Sequence, residues 1–188
     1  MLMQTLLWLL DMLCGFFSMA LLARFLMQWT RAPFRNPLGK FIAAVTDWML
    51  RPLRRLIPGL FGLDLASLLL AWLWQAAYLG IALGLSGAIL AVSPAPIFSV
   101  ALLALIETVK TGFHLAIGVV LISAILSWVN PQAPLADVIN AVSRPLLHPF
   151  QRLIPPVGGV DLSPLALLLL LQVSLGMLER LRLTILMS

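Results

Sequence analysis

The chain has 188 residues, of which 62% are apolar and 10% charged, and it carries a net charge of +5. A soluble domain carries roughly 25% charged residues, so a mean hydropathy of +1.06 makes the bilayer the expected solvent. The bases punctuate apolar segments instead of forming a stripe interleaved with aromatics, which argues against a nucleic-acid partner. Cys14 is the single cysteine, so neither an internal disulfide nor a thiolate metal site is expected.

The first predicted element is a membrane span over about residues 4–29. Trp8 and Trp29 bracket it, 21 positions apart. At helical rise that is roughly 31 Å, the thickness of a hydrocarbon core with a tryptophan at each interface. With no basic leader and with Asp11 interrupting the apolar run, this helix is expected to be retained and not cleaved as a signal peptide. A connector follows, holding Arg31, Arg35, Lys40, Arg51, Arg54 and Arg55. Within it Leu38, Phe41, Ile42, Val45, Trp48 and Met49 recur at helical spacing, with Lys40, Asp47 and Arg51 off the stripe. That predicts an amphipathic helix over about 38–51, lying in the headgroup plane, or alternatively packed under the bundle.

The second span is predicted over about 65–90. It carries a ridge of small residues, Ala76, Gly80, Gly84 and Ala88, at a spacing that lets helix backbones approach closely. Its expected use is packing within the chain, with Gly112 and Ala116 as a partner ridge; the alternative is dimerisation. The third span, about 99–128, ends at Trp128. A second amphipathic helix is predicted over about 135–148, with Leu135, Val138, Ile139, Val142 and Leu146 opposite Asp137, Asn140 and Arg144. The fourth span covers about 163–185. The fold class is therefore an all-α membrane protein of four transmembrane helices.

The chain repeats itself. RRLIPGLFGLD at 54–64 returns as QRLIPPVGGVD at 151–161, 97 positions later. At that offset Pro37 falls on Pro134, Val45 on Val142 and Pro52 on Pro149. A two-residue gap upstream places Trp29 on Trp128. Residues 1–92 and 93–188 are thus two units, each span, amphipathic helix, span. With two spans per unit, both sit the same way up, related by an axis along the membrane normal. The recurring residues Arg55, Pro58, Gly62 and Asp64, with Arg152, Pro155, Gly159 and Asp161, read as one structural corner built twice. There a surface helix turns back into the bilayer and the aspartate caps the new span. Arg51, Arg54 and Arg55 are candidates for contact with anionic lipid.

Charges in the spans gather near the interfaces. Asp11 and Lys110 each stand 18 positions before the tryptophan closing their helix, Trp29 or Trp128. That is roughly 27 Å, so an Asp11–Lys110 pair, with Glu107, Glu179, Arg180 and Arg182 near, is a candidate ionic contact at the outer side, the alternative being independent solvated charges. Arg24 sits near the inner interface, where it can snorkel. His114, the deepest ionisable group, reads as a hydrogen-bonded structural histidine. His114, His148 and Cys14 are too scattered for a metal site, and neither cofactor nor metal is expected. The bases of the first connector put both connectors in the cytoplasm and both termini outside.

QW at 28–29, NP at 36–37, RPLRRLIP at 51–58, GLD at 62–64, SW at 127–128, PL at 134–135, RPLLHPFQRLIP at 144–155 and GGVDLSP at 158–164 together resemble the YggT family, called YlmG in its plastid and cyanobacterial branch. The resemblance spans essentially the whole chain. It implies an integral protein of the bacterial inner membrane without an established enzymatic activity. It also implies a link to osmotic stress and potassium limitation in bacteria, and to nucleoid distribution, division and cytochrome assembly in organelles. The expected function is a non-enzymatic adaptor or assembly factor working through its cytoplasmic-side helices, with membrane lipids and a membrane-protein partner or second copy as partners. The alternative is a small channel or transporter subunit affecting potassium or osmolyte movement.

Overall fold

The computed structural model describes residues 1–55, 64–85, 96–130, 132–133, 135–154 and 161–187. Among these, the regular elements are all helices: α1 (Leu2–Trp29), α2 (Pro37–Leu53), α3 (Leu65–Leu85), α4 (Pro96–Val129), α5 (Ala136–Leu153) and α6 (Ser163–Met187). Pro58, Gly62, Ala88, Pro155 and Gly159 lie outside the described residues. α1, α3, α4 and α6 are long and apolar enough to cross a membrane, as the hydropathy predicts. α4 has 34 residues and is therefore roughly 51 Å long, about 20 Å more than a hydrocarbon core. One of its ends must project beyond the apolar layer.

The repeat is visible in the packing. α2 lies against α1 and α3, and α5 against α4 and α6. The units join where α4 meets α1 and α3. Side chains tie the spans at named points. Ser18 Oγ donates to the Ala71 carbonyl at 2.9 Å, linking α1 to α3. Trp72 Nε1 donates to the Ala101 carbonyl at 3.0 Å, linking α3 to α4 across the units. Phe17 stacks on Trp74 with ring centroids 5.0 Å apart and meets the edge of Trp48 at 6.3 Å, joining α1, α3 and α2.

The turn between α1 and α2 is built locally. α1 stops at Thr30, and Arg31 takes the left-handed conformation (φ 54) that commonly closes a helix. Asn36 Oδ1 then accepts the Gly39 amide at 2.8 Å, capping α2 behind Pro37. A Cβ on Gly39 would stand 2.6 Å from the Phe34 carbonyl oxygen, so this close crossing requires glycine.

Three expectations change. The apolar stripe of α5 is not turned to lipid: Val138 and Val142 pack in a cluster with Met27 and Ile42, and Leu147 packs with Ala116 and Val120. α2 divides its stripe, burying Ile42 and Met49 while Phe41 and Trp48 stay exposed. These faces pack on side chains of the spans. α5 also runs past the predicted end at 148, through Pro145 and Pro149, to Leu153. Both prolines sit on its exposed side, where water can satisfy the carbonyls they leave unpaired. Finally, a Cβ on Gly80 or Gly84 would meet nothing within 4 Å. Among the described residues of that ridge only Ala76 packs inward, with Leu79, Leu103 and Ala104, so the glycines do not serve close helix approach among the described residues.

Candidate functional site

Charge concentrates at two places, one at each end of the bundle. The first is the corner of unit one. Arg24, on the α1 face turned to α2, is 7% exposed. Its Nη1 donates to Asp47 Oδ1 at 2.6 Å and to Thr46 Oγ1 at 2.7 Å. Its Nε lies 3.9 Å from Asp64 Oδ2, which Arg54 Nη2 also binds. Arg24 therefore does not snorkel. Two acids and a hydroxyl meet it inside the protein, in the arrangement that makes a buried charge tolerable. Burial would raise the Asp64 carboxyl, but the hydrogen bond and charge of Arg54, with the charge of Arg24, outweigh it and hold the group below its ordinary value.

This corrects the reading of the repeated phrase. The base that closes the corner on Asp64 is Arg54, not the recurring Arg55. Arg51 and Arg55 remain exposed. In unit two the equivalent of Arg54 is Gln151, and its Nε2 donates to Asp161 Oδ2 at 2.9 Å. The position that changes between copies is the one that makes the contact, and both residues supply a donor. The capping role holds for Asp161, whose Oδ1 accepts the Ser163 amide at 2.9 Å. At Asp64 the carboxylate is turned to the arginines instead.

The rest of the cluster is replaced as a set. Arg24 corresponds to Ser123, Ala43 to Asn140, Thr46 to Ser143 and Asp47 to Arg144. Ser123 Oγ lies 3.0 Å from both Asn140 Oδ1 and Ser143 Oγ. Unit one therefore pins α2 to α1 with charge, and unit two pins α5 to α4 with neutral hydrogen bonds at the same place. Arg24 and Asp47 were legible as partners only from this paired loss.

The second concentration lies at the opposite end. Lys110 Nζ binds Glu107 at 3.3 Å and Glu179 at 2.5 Å, while Arg182 binds Glu107 at 2.8 Å and Glu179 at 2.9 Å. Two acids and two bases close a ring joining α4 to α6. The expected Asp11–Lys110 pair is not formed; the Lys110 ammonium is turned to Glu107 and Glu179. Asp11 instead lines a half-open cavity of about 220 Å³ beside the ring, with Gln75, Tyr78, Leu79, Glu107, Lys110 and Arg182. His114 points elsewhere; its Nδ1 donates to the Lys110 carbonyl of its own helix at 2.9 Å. Among the described residues no group of His, Cys, Asp and Glu is arranged to hold a metal ion.

Comparison with known proteins places both repeats in one family. The CCB3/YggT profile matches residues 3–85 and 102–182. The chain is 38% identical to the uncharacterized protein YggT of Escherichia coli K12, over 97% of this chain and 94% of the relative. It is 41% identical to the uncharacterized protein PA0392 of Pseudomonas aeruginosa, over 84% and 80%. With the uncharacterized protein in the proC 3′ region of Vibrio alginolyticus it shares 34% identity, over 90% and 91%. No solved structure matches it.

Proposed function

The chain belongs to the CCB3/YggT family, and from that premise we propose that it is a non-enzymatic adaptor or assembly factor of the bacterial inner membrane, supporting tolerance of osmotic or envelope stress. One observation carries the reading: the charged groups within the bundle are mostly committed to one another. Arg24 and Arg54 are held by Asp47 and Asp64, and Lys110 and Arg182 by Glu107 and Glu179. Between the two ends lie packed apolar side chains, Leu21, Leu22 and Ala71 in one cluster and Ala116, Val120 and Leu171 in another. An ion pathway through the monomer would want a series of free polar groups at mid-depth, whereas Ser18 at this level is turned to the Ala71 carbonyl.

The surfaces left to work with are those of α2 and α5, pinned to the span ends. α2 offers exposed Phe41 and Trp48 beside Lys40 and Arg51, and α5 offers Arg144, His148 and Arg152. By the density of bases in the first connector these surfaces face the cytoplasm and both termini face outward. Anionic lipid is one expected contact, through Arg51 and Arg55; a membrane-protein partner or second copy is the other. Purified protein in liposomes, assayed for potassium and proton flux, tests the proposal. The expected result is flux no greater than in empty liposomes, together with a partner that co-purifies reproducibly and is lost when Phe41 and Trp48 are replaced by alanine. Robust flux from the purified chain would establish the channel reading in its place.

A further inference from the structure

The cavity beside the Glu107–Lys110–Glu179–Arg182 ring contains polar groups that the fold leaves unused. Gln75 is 6% exposed and lines it, yet its amide has no hydrogen-bond partner among the described residues. The half-open cavity reaches this amide, so its donors and acceptor are free for water or a bound solute. Its counterpart one repeat later, Gln172, lies at the exposed surface of α6, where it needs no protein partner. The inward placement therefore belongs to this cavity and is not a by-product of the repeat. Asp11 brings a carboxylate and Tyr78 a phenol, neither of them hydrogen-bonded or ion-paired among the described residues. Across from them, Lys110 and Arg182 have donors beyond those the two glutamates accept, since an ammonium carries three N–H groups and a guanidinium five.

We propose that this cavity is a binding site for a small amino-acid-like zwitterion, its ammonium held by Asp11 and the Gln75 carbonyl oxygen and its carboxylate by Arg182 and Lys110. The charge layout selects that class. Both signs face the cavity, so a lone anion would meet Asp11 and a lone cation would meet Lys110 and Arg182. A bare divalent ion wants several carboxylates free of bases, and Glu107 is engaged by both bases. The ammonium is a primary or secondary one. Its N–H groups answer the Asp11 and Gln75 oxygens, whereas a quaternary ammonium wants a cage of aromatic faces, and Tyr78 is the single ring here. A volume of about 220 Å³ is below the usual range for drug-sized ligands, which keeps the solute small.

The site is independent of the adaptor reading, since a channel or an adaptor could equally carry it. The test is thermal unfolding and equilibrium dialysis of the purified full chain in detergent, with glycine, β-alanine and 4-aminobutyrate as probes. Methylammonium, acetate and glycine betaine serve as controls. At least one probe is expected to bind saturably and raise the unfolding midpoint, because a ligand held only by the folded state stabilises it. Asp11→Asn and Gln75→Leu should each weaken that binding by about tenfold or more, the scale of a hydrogen bond to a charged group. Gln172→Leu should leave it unchanged. Asp11 is exposed, so its variant is expected to fold, and the ligand-free midpoint verifies this for each protein. The proposal is overturned if none of the probes binds saturably, or if both site variants bind as the parent does. Methylammonium or acetate alone matching the best probe would overturn the zwitterion, and glycine betaine matching it would overturn the N–H recognition.

Discussion

Arg24 is the residue on which most of the corner depends. It is buried, and three partners converge on it. Replacing it by methionine leaves Asp47 and Asp64 with less positive charge than the fold provides. The expected loss is about 3 kcal/mol, the scale of breaking one side of a buried pair, read by chemical unfolding in detergent. Replacing Arg24 by serine together with Asp47 by asparagine should lose less than the sum of the single changes, because unit two already holds its helix with Ser123 and no acid opposite it. Asp64 gives a pH signature. Its carboxyl is held below its unfolded value, so its contribution to stability is full above the ordinary aspartate range, about 4. That contribution is lost as pH falls through the depressed native value. Unfolding midpoints should therefore drop on acidification below about pH 4, and Asp64→Asn should flatten the decline.

At the scale of elements, the short helices were legible as helices and not as to which way they face. The stripe Val138, Ile139, Val142 and Leu146 has the same spacing whether lipid or protein covers it, and in the structure α1, α4 and α6 side chains do. Capping was readable in part. Asn36 before Pro37 marks a helix start, and Asn36→Ala should destabilise by about 1 kcal/mol. Gly39→Ala should cost more, about 2 kcal/mol by overpacking, because the added Cβ meets backbone of Phe34. Gly80→Ala is the contrast: it faces open space, so alanine should be neutral or stabilise by up to about 1 kcal/mol. A large loss at Gly80 would mean that a second chain covers it. All three are read by the same unfolding titration.

For the whole molecule, two units of two spans place α2 and α5 on one side. Arg51 and Asp137 are exposed, and the native Cys14 is 2% exposed, so introduced cysteines can be read against a silent background. Arg51→Cys and Asp137→Cys should both react with a membrane-impermeant maleimide in inside-out vesicles and neither in right-side-out ones. Labelling from opposite sides would refute the parallel arrangement. The membrane as solvent follows from composition, because no other solvent accepts so little charge, and the span count from where the apolar runs fall.

The sequence by itself determined the solvent, the four spans, the two connecting helices and the duplication, since each is a matter of local spacing or of one segment compared with another. It also indicated where charge would gather, because depth along a helix is arithmetic. Only the tertiary structure decided which charges meet. Arg24 and Asp47 are 23 positions apart, and Lys110 and Glu179 are 69. Such partners are set by the rotation of each helix about its own axis, and that rotation is fixed by packing across the bundle. The same rotation turned Gln75 inward and Gln172 outward, though the repeat writes them at one position.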